Sequence, residues 1–462
     1  MKKNSNKLLL VAYYYPPAGG AALPGSQRTV KFIRYIEQFD RYVLTLKEEC
    51  YREYIDLNFR LDLPVNFETV CRTGDFDLFK VMLKIREKIK MISMRHGKKH
   101  SEDEDEKNYT ISKSLGFQKQ STFFQKLKDL IYSIIYFPDD AGAWLLAAIW
   151  HGRKVVKEKN IDIIFATGMP WTSLLVAYYL HKITGKPFVV DFRDPWVGNP
   201  FHISHGKLFD WSMQKLEKRI VDTATYISAN TETLRDDFLR RYRYLPKEKV
   251  VVLPNGYDPI DFTGITVADV DHSDRLILAH AGSLYGRRDP SPLLKAFRLL
   301  RVQSPETICH FTQMGYIEPE YSFDLKYADL SETGVIENAG LLPYEKCLNK
   351  LAEADVAVII QPTTKIQVPS KIYDYMAMRK YILAITPLDG ELAKMMMEHK
   401  LGDVFDPMDI IGICIKLKEL YLRKNKSGRI NVAYQDTERF NVEKVSLKLE
   451  KMLLTVIKQK NN

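Results

Sequence analysis

The chain is poor in cysteine, lacks a long apolar run and carries no metal-ligand spacing, and each shortage removes a class of protein. Its five cysteines, Cys50, Cys71, Cys309, Cys347 and Cys414, are odd in number, far apart and never spaced C-x-x-C. That excludes a disulfide scaffold or a redox dithiol and predicts reduced structural thiols of a cytosolic protein. No stretch reaches the roughly 18 apolar residues that a membrane-crossing helix needs. The apolar stretch Leu8–Tyr15 runs straight into Pro16-Pro17, not into a small-residue cleavage site, so it reads as a buried first strand and not a signal peptide. The ten histidines form no H-E-x-x-H or other ligand set, so no metal site is expected. Zinc-finger spacing and the aromatic, glycine-rich signature of RNA-binding domains are also missing, which sets nucleic acid aside.

What is present is ordinary globular material: 462 residues, 45% hydrophobic and 27% charged, with a net charge of +10. The length predicts two or three domains. The positive balance leaves an anionic lipid surface and phosphorylated ligands as partners.

Short β-rich apolar runs alternate with helical patterns. Leu8–Tyr15, Tyr42–Leu46, Ile161–Thr167, Phe188–Asp191 and Tyr226–Ala229 read as strands, with helices such as Gln27–Gln38 and Thr172–Thr184 between them. A second series begins after Pro254. Leu276–Gly282, Thr307–Gln313, Val356–Ile360 and Tyr381–Ile385 read as strands, and Pro290–Leu300, Tyr344–Ala354, Ser370–Met378 and Asp389–Glu398 as helices. Alternation of this kind predicts parallel sheets covered by helices on both faces, in two Rossmann-like units. The join is expected near Asn255–Asp274.

Two stretches fall outside that pattern. Residues 78–100 space Leu78, Met82, Ile85, Ile89 and Ile92 as one helical stripe among eight basic residues, and an acidic run, 102–106, follows. A solvated surface helix with a loop is one reading, and a basic amphipathic helix lying on an anionic membrane is the other. At the C-terminal end, Val442, Val445, Leu449, Met452, Leu453 and Val456 share one helical face with no strand after them. That helix must bury its stripe on something already built.

Four places can carry chemistry. After the first strand, Gly19-Gly20 lets backbone approach a ligand, although the dinucleotide pattern G-x-G-x-x-G is absent. At another strand end, Val190-Asp191-Phe192-Arg193-Asp194-Pro195-Trp196 brings out three charges that are expensive unless they face a cleft and pair. In Ala281-Gly282-Ser283-Leu284-Tyr285-Gly286-Arg287-Arg288-Asp289-Pro290, small residues admit a phosphate and two arginines supply fixed charge. In Gln367-Val368-Pro369-Ser370-Lys371-Ile372-Tyr373-Asp374, Ser370 suits a helix N-cap that aims amides at an anion. Asp374, one turn further, is placed to accept two ribose hydroxyls or simply to favour the helix dipole.

In this order and spacing, together with Leu253-Pro254-Asn255-Gly256-Tyr257-Asp258, the motifs resemble the family 4 glycosyltransferases of bacterial surface-polysaccharide type, through most of the length. The resemblance implies a GT-B fold: an acceptor-side domain at 1–255 with an insertion near 78–128, a nucleotide-sugar donor domain at 256–435, and a last helix, 436–462, packing back on the first domain. It implies a retaining transfer of sugar from a nucleotide-sugar, UDP-sugar favoured, to a saccharide or lipid-linked acceptor, with no cofactor and no metal. The one Asp-Glu-Asp, at 103–105, lies in the acidic run and not at a strand end. Carried over to this chain, Gly20, Gly282, Ser283, Arg287, Arg288, Ser370, Lys371 and Asp374 bind the donor, and Arg288, Arg193 and Asp194 are catalytic.

The chain departs from the family pattern in four places. The family's two glutamates, eight positions apart, are Ile366 and Asp374 here. Arg379 and Tyr381 replace a glycine and a proline. Ser283 stands for a donor-loop arginine, leaving Arg288 as the basic partner. Arg193 stands for a histidine and, unable to act as a base, orients substrate. A nucleotide-sugar epimerase would need acids near the anomeric carbon, and a non-catalytic nucleotide-sugar binder is what the lost first glutamate favours. The expected setting is cytoplasmic, peripheral on the inner membrane face.

Overall fold

A computed structural model describes residues 5–18, 24–51, 68–76, 132–199, 202, 204, 206–265 and 274–461. Gly20, the basic stretch 78–100 and the acidic run 102–106 lie outside the described residues.

Two parallel sheets carry the molecule. The first holds β1 (Asn6–Val11), β2 (Phe39–Leu46), β3 (Thr69–Thr73), β4 (Ile163–Gly168), β5 (Phe188–Phe192), β6 (Tyr226–Ala229) and β7 (Val250–Val252), in the order β3-β2-β1-β4-β5-β6-β7. The second holds β8 (Leu276–Ala281), β9 (Cys309–Met314), β10 (Ile336–Gly340), β11 (Val356–Ile360), β12 (Tyr381–Ile385) and β13 (Gly402–Phe405), in the order β10-β9-β8-β11-β12-β13. Every residue of β4, β5, β11 and β12 is buried, which is why these strands read as apolar runs, interrupted only near the ends of β4 and β5 by Thr167 and Asp191. Strand order reverses between β1 and β4 and again between β8 and β11, and ligands bind at the carboxyl ends of strands at such switch points.

Among the described residues the helices longer than four residues are α1 (Pro24–Tyr35), α2 (Leu145–Glu158), α3 (Thr172–Thr184), α4 (Lys207–Thr223), α5 (Glu232–Arg241), α6 (Ser291–Gln303), α7 (Tyr344–Glu353), α8 (Lys371–Ala377), α9 (Glu391–Glu398), α10 (Ile410–Ser427) and α11 (Val442–Asn461). Several bounds move from the sequence reading. The first strand stops at Val11, because the carbonyl of Tyr13 turns to accept from Thr45 Oγ1 and Tyr51 Oη, each at 2.9 Å. The helix expected from Gln27 starts at Pro24, and the one expected from Asp389 starts at Glu391, after Gly390.

The stripe on α11 finds its partner. Val445, Leu449, Met452, Leu453 and Val456 are buried with Leu8 and Leu10 of β1 and with Phe32, Ile33 and Ile36 on and just after α1. Buried Glu450 accepts from the amides of Glu37 and Gln38 at 2.7 Å each, where the chain leaves α1. To get there the chain crosses from the second sheet, where Phe440 packs among Ile372 and Tyr373. At the crossing, Tyr257 and residues 440–442 exchange backbone hydrogen bonds at 3.0 Å. Gly256 is required there, since a Cβ would fall 2.1 Å from the Phe440 carbonyl oxygen. Two ion pairs tie α1 to the segment that opens the second half: Arg34 with Asp258, and Lys31 with Asp261 at 3.1 Å.

Candidate functional site

The carboxyl end of β8 is built around one glycine. Gly282 has φ +129°, a conformation L side chains rarely adopt, and a Cβ there would lie 2.5 Å from Nζ of Lys371. The lysine ammonium therefore occupies the space next to the Gly282 backbone. Lys371 donates to Nε2 of His280 at 2.8 Å, and His280 donates through Nδ1 to Oε1 of Gln313 at 2.7 Å. Gln313 in turn donates to the Gly282 carbonyl at 2.7 Å. These directions fix a neutral imidazole, as expected for a fully buried ring that burial, and then Lys371, hold well below its ordinary value. Burial, and then Arg288, push Lys371 well below the usual lysine range. Among the described residues no carboxylate pairs with either cation.

Arg288 is half-buried, with its guanidinium over the Tyr285 ring at 4.9 Å, whereas Arg287 is exposed. The loop between them and β8 is pinned. Gly286 N donates to Glu318 Oε2 at 2.7 Å, Tyr321 Oη donates to the Gly286 carbonyl at 2.5 Å, and Leu284 N donates to the Tyr316 carbonyl at 2.8 Å. Ser283 is half-buried on the same loop.

Ser370 departs from expectation. It precedes α8 with φ −58° and ψ −28°, already helical, and its hydroxyl makes no capping bond. A cap needs extended backbone to swing the side chain onto the second or third amide. In the seven-residue α8 it is Lys371 that reaches the β8 loop, so a side-chain charge, and not a capped helix end, faces Gly282. Asp374 lies one turn on and accepts from Tyr344 Oη at 3.0 Å. Burial raises its carboxyl to about 6, opposed by Lys31 of α1. Ile366 is 36% exposed nearby in sequence.

The end of β5 divides the charges expected to act together. Asp191 is fully buried and belongs to the sheet: Arg28 contacts it at 2.9 and 3.1 Å, Thr167 at 2.8 Å and Ser228 at 2.5 Å. Arg28 also donates to the carbonyls of Leu253 at 2.7 Å and Pro254 at 2.9 Å, bracing the join between the two halves. Arg193 donates to the carbonyls of Gly168, at 2.8 Å, and Met169, and so holds the turn after β4. Burial lowers its guanidinium to about 10, against Asp191 and Asp194. Asp194 is the charge that faces the second half: Gln367 Nε2 donates to its Oδ1 at 3.0 Å. Burial raises its carboxyl.

The second sheet thus presents Gly282, Ser283, Arg288 and Lys371, the first presents Arg193 and Asp194, and Gln367 joins them. Sequence reasoning passed over His280, Gln313, Gln367, Tyr344 and Arg28. The signal for two of them was available: His280 and Gln313 are polar residues inside apolar strands and stand opposite each other in the β8–β9 register.

Residues 118–260 match the family model described as Glycosyltransferase Family 4. Among solved structures the chain is similar to HepE from Anabaena in complex with UDP, at 13% identity and TM-score 0.55, with 98% of each chain covered. It is also similar to a sucrose-phosphate synthase from Thermosynechococcus elongatus, at 13% identity and TM-score 0.53, covering 99% of this chain and 97% of that one. The lipopolysaccharide outer core galactosyltransferase WaaB matches at 13% identity and TM-score 0.51, covering 96% and 99%. No curated protein matches in sequence. The architecture is that of the GT-B glycosyltransferases. The family 4 match covers residues 118–260, about a third of the chain.

Proposed function

We propose that the chain transfers a sugar, with retention of anomeric configuration and without a bound metal, from a nucleoside-diphosphate sugar to a saccharide or lipid-linked acceptor in surface-polysaccharide synthesis. A UDP-sugar is the favoured donor. The observation that carries the reading is the pair of cations, Lys371 and Arg288, gathered beside Gly282 with no carboxylate among the described residues to neutralise them. A buried, uncompensated ammonium is costly, and a diphosphate supplies the missing charge. Gly282 and Ser283 admit phosphate oxygens, and Arg287 reaches the outer side of the same group. Asp374, next to Tyr344, accepts the ribose hydroxyls.

In the transfer, the bond from the anomeric carbon to the diphosphate oxygen breaks and an acceptor oxygen bonds to the same face of that carbon. The acceptor's proton passes to the departing diphosphate or to Asp194, whose raised carboxyl suits it to hold a proton. Lys371 and Arg288 meet the charge that grows on the leaving group, which is where preorganised donors act most strongly. Arg193 positions the turn below the acceptor through its bonds to Gly168 and Met169. The similar HepE structures hold UDP and UDP-glucose, and the similar WaaB is described as a galactosyltransferase, which supports a UDP-sugar here. A non-catalytic binder on the same fold is favoured by one residue, Ile366, which brings no carboxylate where the family has one. Incubation with UDP-, GDP- and ADP-sugars and a saccharide acceptor separates the readings: a glycoside plus free nucleoside diphosphate supports transfer, and binding without turnover supports the binder.

A further inference from the structure

Buried cations elsewhere in the chain meet carboxylates. Arg28 pairs with Asp191 at 2.9 Å, and Lys424 with Asp355 at 2.6 Å. Lys371 instead meets a second base. Its Nζ lies 2.8 Å from Nε2 of His280, a ring that is fully buried on β8 and held by Gln313 of β9 at 2.7 Å. His280 and Gln313 stand opposite each other in the strand register, so the acceptor behind the lysine is fixed by the sheet itself. The imidazole accepts a hydrogen bond from Lys371 but brings no negative charge to offset it.

The groups facing this pair from the other elements do not offset it either. Arg288, on the loop after β8, adds positive charge. Gln313 is neutral. Cys347 of α7 has its thiol pushed up to about 12 by burial, so it keeps its proton at neutral pH. The nearby acids are engaged elsewhere: Asp289 accepts from Ser291 N at 2.8 Å, Glu318 from Gly286 N at 2.7 Å and Asp374 from Tyr344 Oη at 3.0 Å. Among the described residues no carboxylate forms an ion pair with Lys371. A lysine placed among cations and neutral groups loses its proton more readily than one in water. Lys371 is only half-buried, so an anion and solvent protons reach it.

Resting on the reading that this site holds the donor's diphosphate, we propose that His280 positions Lys371 as a titrating base and not as a permanent cation, and that a nucleoside diphosphate binds there together with a proton taken from solvent. The diphosphate supplies the negative charge that the seat lacks. The amine then gains its proton and becomes the ammonium that meets the leaving group. The imidazole keeps its own charge throughout: Nε2 accepts from the lysine in both states, and Nδ1 stays bonded to Gln313. A carboxylate in the place of His280 would hold the lysine charged before any donor arrives and would leave less of that charge for the diphosphate.

Titration calorimetry of the full chain at pH 8, in HEPES and in Tris, counts the protons exchanged on binding, because the two buffers release a proton with different heats. The ligand is UDP, or GDP or ADP should one of those bind instead. At that pH a terminal phosphate, with a second pKa of about 6, is fully ionised, and Asp374, raised to about 6, has already lost its proton. A net uptake of at most one proton is expected, with an affinity that weakens above pH 8 by up to about tenfold per pH unit. Lys371→Met should bind more weakly and without exchange. His280→Leu removes the acceptor behind the lysine and should weaken binding by more than about tenfold, while His280→Gln restores a neutral acceptor and should recover most of the loss. A parent that binds with the same heat in both buffers overturns the proposal and leaves the transfer reading standing. So does a His280→Leu variant that binds as the parent does. A parent that binds none of the three nucleotides overturns the donor site and this proposal together.

Discussion

Lys371 donates to Nε2 of His280 across 2.8 Å, and this bond leaves the ammonium facing the Gly282 backbone with its remaining donors free for an anion. The imidazole is locked in place by Gln313, so the lysine's position is set before any ligand arrives. Preorganisation of that kind lets a charge stabilise a leaving diphosphate without rearrangement at the moment of reaction.

Arg288 is the second cation of the pair. Arg288→Ala should lower turnover by about 10²–10³, the usual loss when one transition-state donor is removed. Its melting temperature should stay close to that of the parent, because the half-buried guanidinium lies over the Tyr285 ring and makes no ion pair among the described residues. Steady-state kinetics and thermal melting measure both. Exposed Arg287 is close enough in sequence to substitute, so Arg287→Ala/Arg288→Ala should fall further.

Asp374 carries a pH signature. Burial raises its carboxyl to about 6, above the ordinary value of about 3.9 for aspartate in an unfolded chain. The folded state therefore binds a proton that the unfolded state has released, and stability falls as pH rises through that window. Asp374→Asn should flatten the fall, measured as melting temperature against pH from 4 to 8. Donor affinity should move the other way in the parent, improving as pH passes about 6 and the carboxylate becomes available. In Asp374→Asn donor binding should be weaker by about 1–2 kcal/mol and insensitive to pH there.

Asp194 separates the two sides of the cleft. Asp194→Asn keeps an acceptor for Gln367 and removes the charge. Turnover should drop while the Kd for UDP, measured by calorimetry, stays within about twofold, a difference of under half a kcal/mol. A proportional loss of UDP affinity would move Asp194 to the donor side.

The crossing helix is a matter of stability. Leu453 is fully buried among β1, α1 and α11, so Leu453→Ala should cost about 2–5 kcal/mol, read from the denaturant midpoint.

The sequence revealed what is buried on both faces and hid what lies at the margins. The central strands were legible because most positions in them are apolar and buried, without exception in Val356–Ile360. The four strands not anticipated, β3, β7, β10 and β13, are the four edge strands. Of these, β3 and β10 bury one residue each, β13 buries none fully, and β7 is three residues long, so neither periodicity nor run length announces them. Within the candidate site, the Gly282–Arg288 loop stood out by residue type, whereas Lys371 came only with the family resemblance. The Lys371–His280–Gln313 chain was not legible, because it joins three elements far apart in sequence. Ser370 misled for a local reason: its composition suits a cap, and its backbone does not.

The most direct test of the donor site is thermal unfolding of the parent and of Lys371→Met with saturating UDP, GDP or ADP. Ligand at about 100-fold over Kd adds about 2.7 kcal/mol to the folded state, enough to raise the melting temperature measurably. The account predicts a rise for the parent, largest with UDP. It predicts little or none for Lys371→Met, whose own melting temperature is at least that of the unliganded parent because a buried, uncompensated charge is gone. A parent indifferent to all three nucleotides, or a Lys371→Met variant that responds as fully as the parent, would contradict it.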